Sequence, residues 1–178
     1  MNRRRGGIRT VHPTLQISER TMISFRPMLE SEYAGYLAYF VPDYAAEIAA
    51  NYGLPDADAL AQATSEIAED LPQGVDTPGS VLLCLIESAS AAHVGYLWYR
   101  LDARGRSAFI SDFHILPEHQ GKGLGKLAMA ALEIELSAKG FEQVKLRVAE
   151  NNRRARHVYE ATGFRVTGRN MSKTLKPR

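Results

Sequence analysis

The chain is poor in cysteine and in long apolar runs. Cys84 is the single cysteine among 178 residues, so no disulfide can close within the chain. Its place in the apolar run 81–86 reads as a core position. No stretch approaches the ~18 consecutive apolar residues of a membrane-crossing helix, and no membrane association is expected. Arg3, Arg4 and Arg5 are followed by no apolar segment, so a secretory leader is not expected and a cytoplasmic protein is. No internal repeat is visible. Cations are missing from Asp43 to Asp76, a span that holds eight Asp and Glu and no Lys or Arg.

What is present is an ordinary globular composition, 45% hydrophobic. The length suits one domain with a real core. Residues 1–21 carry five Arg, one Glu and no hydrophobic periodicity, and read as a flexible basic tail. Residues 22–178 read as the domain. Charge divides that domain: residues 22–100 carry a net −9 and residues 101–178 a net +7. A basic back half suits a polyphosphate, and an acidic front half suits a cationic second substrate. Solvated helix faces are the plainer account of the acids.

Pattern and punctuation predict the elements. Residues 23–26 read as a short strand and 29–51 as a helix that Pro42 must kink or break. A second helix is expected over 56–70, bounded by Pro55 and Pro72. Strands are expected over 80–87, 94–101 and 107–116. A long helix follows over 122–139, with Leu124, Leu127, Ala128, Ala131 and Ile134 as its apolar stripe and Gly140 closing it. A strand over 142–148, a helix over 152–162 and a final hairpin from Phe164 through Arg169 to Leu175 complete the domain. This order predicts an α/β (α+β) class, a mixed sheet carrying helices.

Two clusters carry chemistry. The first is Gln120-Gly121-Lys122-Gly123-Leu124-Gly125, between a strand and a helix. Glycines let a ligand approach the main chain, and the first amides of a helix have no partners within it, so the turn suits phosphate. It is not a nucleotide P-loop, because Lys126 is followed by Leu127. It is not a dinucleotide fingerprint, because Lys126 stands where the third glycine belongs. Lys122 and Lys126 could add point charges, and a structural turn with solvated lysines is the plainer alternative. The second cluster runs from Asn152 to Phe164 and contains Ala155, Tyr159 and Gly163. Asn152 is a good helix cap. Tyr159 lies two turns further along the same face, where its hydroxyl needs a partner if buried.

Together these clusters resemble the GNAT family of acetyl-CoA-dependent N-acetyltransferases, in motif, order and separation. The match is strongest over residues 107–168. The resemblance implies a central sheet in which the parallel strands 107–116 and 142–148 splay apart. Main-chain groups there are freed for the pantetheine arm of acetyl-CoA, the expected co-substrate. By position Phe113, His114 and Ile115 would line that arm. Amides from Gly121 to Lys126, with Gln120 at the head of the motif, would hold the pyrophosphate, and Asn152 and Tyr159 would sit near the reacting end. No metal is implied.

The implied reaction is direct attack of a primary amine on the thioester in a ternary complex. Tyr159 matches the family's proton donor to the departing thiolate. The base is less determined. Arg147 occupies the position where some members carry Glu and cannot serve. Asp112, a charge in an apolar strand, is the candidate base or amine anchor, with a structural hydrogen-bond acceptor as the alternative. His114 shares its face, and a packed core histidine is its alternative role. Glu118 and Glu150 read as solvated. Tyr33, Tyr36, Tyr39, Tyr44 and Trp98 offer a cation-friendly wall or simple packing. The acceptor is expected to be a cationic small molecule or a basic peptide. A non-catalytic acyl-CoA sensor is the competing reading. Nucleic-acid binding through the arginines is disfavoured by the acidic front half. A homodimer is the family precedent.

Overall fold

The computed structural model describes residues 22–102, 106–171 and 173. The expected basic tail lies outside the described residues. Five strands form one sheet in chain order: β1 (Ile23–Pro27), β2 (Ser80–Glu87), β3 (Ala92–Leu101), β4 (Ser107–Ile115) and β5 (Gln143–Leu146). The first four pair antiparallel, and β5 pairs parallel to β4. Helices α1 (Glu30–Tyr52) and α2 (Asp56–Asp70) precede β2. Helix α3 (Leu124–Ala138) makes the crossover from β4 to β5, and α4 (Arg153–Ala161) follows.

Strand β2 has a continuous apolar run because both of its faces are covered. Leu83 and Leu85 join a core with Leu97 of β3 and with Leu124, Met129, Leu132 and Leu136 of α3. Leu82 and Cys84 point the other way, into a core with Tyr36 and Phe40 of α1, Ile67 of α2 and Trp98 of β3. Helices α1 and α2 pack on each other through small residues, Ala45, Ala59 and Ala63, around Ile48. Truncating a fully buried leucine such as Leu97 to alanine would cost about 2–5 kcal/mol.

Three sequence expectations need correction. Pro42 neither ends α1 nor divides it: the helix runs unbroken for 23 residues. Proline deprives the carbonyl four residues back of its donor. Here that residue, Ala38, is exposed, as is Pro42 itself, so water can reach the freed carbonyl. The apolar stripe of α3 is out of phase with the expectation. Met129, Leu132 and Leu136 are buried with Leu124 and Ala128, while Leu127 is 39% exposed and Ile134 73% exposed. The helix is apolar on several sides, so periodicity alone does not say which side docks. Finally, residues 164–171 contain no strand, and residues 172, 174 and 175 of the expected hairpin lie outside the described residues. Phe164 packs on Tyr159, but Val166 is exposed and the polar residues around it bring no second apolar face to β5.

Candidate active site

The site begins with an irregularity in β4. Opposite β3, Tyr99 pairs with Ile110 and Trp98 with Asp112, so Ser111 is an extra residue in the ladder. Such a bulge re-aims the side chains that follow it. Strand β5 pairs with β4 only from Ser107 to Ile110 and ends at Leu146. From Ser111 to Ile115, β4 runs on without β5. The expected splay is therefore present, and it opens at the bulge.

Beyond the bulge, β4 side chains alternate between the two cores. Phe113 and Ile115 pack into the α3 core. Asp112 and His114 face α1. The Tyr39 hydroxyl donates to Asp112 Oδ1 at 3.2 Å. The Tyr39 ring stacks on His114 with centroids 3.8 Å apart. Asp112 Oδ2 is shut off from solvent and makes no hydrogen bond to the described residues. Burial drives the Asp112 carboxyl up to about 7, although the Tyr39 and Tyr36 hydroxyls pull the other way. Desolvation lowers the His114 imidazole below its ordinary range, which favours the neutral ring.

At the open end of β4, the Gln120 side chain turns back and donates to the Ile115 carbonyl at 2.7 Å. It also receives a hydrogen bond from Arg154. Gln120 thus ties the strand end to the loop and to α4. Gly121 and Gly123 have φ of +79° and +80°, which side-chain-bearing residues rarely adopt. Nothing lies within 4 Å of where a Cβ would stand at either, so the backbone turn, not crowding, calls for glycine. Gly123 is the N-cap of α3. The amides of Leu124 and Gly125, in its first turn, lie outside the regular intrahelical ladder. The Lys126 amide is already engaged by the Gly123 carbonyl at 3.1 Å. Lys126 Nζ lies 3.4 Å from His157 Nε2 on α4, and Lys122 is exposed. At Gly125 a Cβ would make only ordinary contact with Val158 at 3.7 Å and Phe113 at 3.8 Å, so space does not demand glycine there.

Helix α4 starts at a capped asparagine. Asn152 Oδ1 accepts from the Ala155 amide at 3.0 Å, which leaves the side-chain NH2 to face other partners. Tyr159 is 8% exposed, between the rings of Phe113 and Phe164. Its hydroxyl is held well above the ordinary tyrosine range, first by burial and then by the Asp112 charge across the splay. Tyr159 and Asp112 therefore sense each other from opposite faces of the sheet.

Two hollows adjoin the splay. A wide groove of about 1320 Å³ follows the free side of β5 and reaches Val148 and Tyr159. A smaller cavity of about 250 Å³ lies on the α1 face, among Tyr44, Glu66, Trp98, Ser111, Asp112 and Arg147. Sequence reasoning missed Ser111, Glu66 and the Tyr39 bond to Asp112. A serine beside an aspartate inside an apolar strand was the one signal that a bulge would bring both to one cavity. Among the described residues no cluster of three His, Cys, Asp or Glu side chains could hold a metal, and no helix is long and apolar enough to cross a membrane.

A strand pair splayed at a bulge, a glycine turn opening a helix, and a tyrosine and a carboxyl flanking the gap define the class of splayed-sheet acyltransferases. Residues 56–164, more than half of the chain, match the acetyltransferase (GNAT) family model. The uncharacterized N-acetyltransferase YycN of Bacillus subtilis is 35% identical over 156 residues, spanning 86% of this chain and 99% of that protein. The crystal structure of YycN superposes with a TM-score of 0.81 at 33% identity, over 88% of this chain and all of that one. YdgE of the same organism is 25% identical over 150 residues, covering 83% and 95% of the two chains. The fold alone is shared with spermidine N-acetyltransferase of Vibrio cholerae, solved with CoA and spermine, at a TM-score of 0.58, 19% identity and 83% coverage of each chain. The chain belongs to the GNAT family and is an acetyl-CoA-dependent acetyltransferase.

Proposed function

We propose that this enzyme moves the acetyl group of acetyl-CoA onto a cationic primary amine by direct attack within a ternary complex. The observation that carries the reading is the buried Asp112 carboxyl, poised near neutrality at the point where β4 and β5 part. The glycine turn suits the pyrophosphate of the co-substrate, through the free first-turn amides of α3 and the point charges of Lys122 and Lys126. Gln120 holds the turn to the end of β4. The unpaired edge from Phe113 through His114 to Ile115 suits the pantetheine amides, and the Asn152 NH2 suits the thioester end.

Asp112 binds the incoming ammonium and serves as its base. A lysine-like amine ionises near 10.4 and the carboxyl near 7, so full proton transfer before attack would cost roughly 4–5 kcal/mol. That transfer comes first, because an ammonium nitrogen has no lone pair with which to attack, and its cost is part of the barrier. Once Asp112 has taken the ammonium proton, the neutral nitrogen bonds to the thioester carbon, the C–S bond breaks, and the second proton leaves the now acidic nitrogen for water. Tyr159 supplies a proton to that sulfur, an effect typically worth ~10²–10⁴-fold. Holding the two substrates together contributes up to ~7–11 kcal/mol in favourable cases.

The acidic front half favours a cationic small molecule or basic peptide as acceptor. The test is thiol release from acetyl-CoA across a panel of amines. Release with cationic amines, at an acceptor KM that rises steeply with salt, supports the reading. A preference for acidic amines, or no release with any amine while CoA binds, sinks it. A homodimer and an intact domain over residues 22–178 remain part of the proposal, checked by solution mass of the full chain and of residues 22–178.

A further inference from the structure

The cavity of about 250 Å³ on the α1 face collects a particular set of unsatisfied groups. Four buried side-chain polar atoms among the described residues have no hydrogen-bond partner, and three belong to residues lining this cavity: Trp98 Nε1, Ser111 Oγ and Asp112 Oδ2. Trp98 is 2% exposed and stands directly opposite Asp112 in the β3–β4 ladder. Leaving a buried polar group unpaired costs about 1–3 kcal/mol. Three in one small space mark a place where a ligand completes the bonding. The indole N–H can only donate, the carboxylate can only accept, and the serine hydroxyl can do either.

Charge narrows the ligand further. Of the carboxylates lining the cavity, Asp70 is paired with Arg100 at 3.2 Å and Glu47 with Arg147 at 2.7 Å. Glu66 hydrogen-bonds to the neutral Tyr44 hydroxyl and Gln62 Nε2, with the Arg147 charge acting on it from further off. Asp43 and Asp112 have no cation within ion-pair distance among the described residues. A ligand that satisfies this wall carries positive charge. It also carries an oxygen that accepts from Trp98. It does not carry a free carboxylate, which the surrounding acids would repel.

The geometry points to an acceptor that is a cationic amine bearing a neutral accepting oxygen, an amino amide or amino alcohol, selected by Trp98 and Ser111. This deepens the acetyl-transfer reading and rests on it. An oxygen-free polyamine would meet Asp112 and Glu66 but leave the indole N–H unpaired.

Three probes that share a 1,5-diaminopentane unit separate these demands: 1,5-diaminopentane itself, lysine amide and lysine. Each is titrated calorimetrically into the full chain already saturated with CoA. Lysine amide should bind about tenfold tighter than 1,5-diaminopentane, the size of one added buried hydrogen bond. Lysine should bind more weakly than both. Trp98 is the only tryptophan, so its emission should shift in step with the calorimetric isotherm. Trp98→Phe should narrow the amide-to-diamine ratio to within about twofold. If that variant folds poorly, Ser111→Ala, a smaller change, should lower lysine amide affinity several-fold. Equal affinities for amide and diamine, lysine as the tightest ligand, or an unmoved Trp98 emission at saturation would overturn this inference alone. Absence of any CoA binding would take down the acetyl-transfer reading with it.

Discussion

The Tyr39 hydroxyl donates to Asp112 Oδ1 at 3.2 Å, joining the middle of α1 to the bulged segment of β4. The bond fixes one oxygen of the carboxyl and leaves the other buried and unpartnered. It also links the acidic front helices to the gap between β4 and β5.

Asp112 should make stability fall as pH rises. Its folded carboxyl is raised from about 3.8 to about 7, so the folded state holds its proton more tightly than the unfolded chain. Below pH 3.8 both states are protonated and no penalty arises. Between the two values the folded state loses ground, and above 7 the penalty is complete, at a few kcal/mol at most. Asp112→Asn should therefore raise Tm at pH 8 and leave it nearly unchanged at pH 4, while removing the acid limb of the pH–rate profile. Thermal melts at the two pH values check the sign. An unmoved rate profile would remove Asp112 as base.

Tyr159→Phe should lower kcat by about 10²–10⁴-fold with little change in CoA affinity. The ring packs against Phe113 and Phe164 either way, so the fold should be kept. Steady-state kinetics beside CoA calorimetry separate the two effects, and an unchanged kcat would end the proton-donor role.

Gly123→Ala should weaken CoA binding tenfold or more. Its φ of +80° costs a side-chain-bearing residue about 1–2 kcal/mol, which relaxation of the turn can relieve only by re-aiming the first amides of α3. Calorimetry on a variant whose Tm is within a few degrees of the parent tests this. Unchanged CoA affinity would mean that the turn geometry is not what binds.

Gly95→Ala should damage the fold instead. A Cβ at Gly95 would stand 2.1 Å from the His114 carbonyl oxygen, a backbone atom of the neighbouring strand. Strands β3 and β4 would have to part beside the splay, at an overpacking cost of about 1–3 kcal/mol or more. Chemical denaturation should show the loss, and a stability equal to the parent would argue that the two strands have slack.

The glycine turn, the asparagine cap of α4 and the buried Tyr159 were legible in the chain because each follows from local geometry: φ at Gly121 and Gly123, the bond from the Ala155 amide to Asn152, the helical spacing from Asn152 to Tyr159. Of the kink or break expected at Pro42 the break does not occur, since its cost depends on whether water reaches the Ala38 carbonyl. The phase of α3 misled as well, because its ten apolar residues, spread around the helix, let either Leu127 or Met129 face the sheet.

Local chemistry thus determined where the backbone could turn and cap, and with it the family. Tertiary structure decided the rest: that Ser111 bulges, that Tyr39 reaches Asp112 across 73 positions, and that Trp98, Ser111 and Asp112 share one cavity. The physical reason is range. Dihedral preference and helix periodicity act over a few residues, whereas the pKa of a carboxyl and the partner of an indole N–H depend on whatever the packed chain brings beside them.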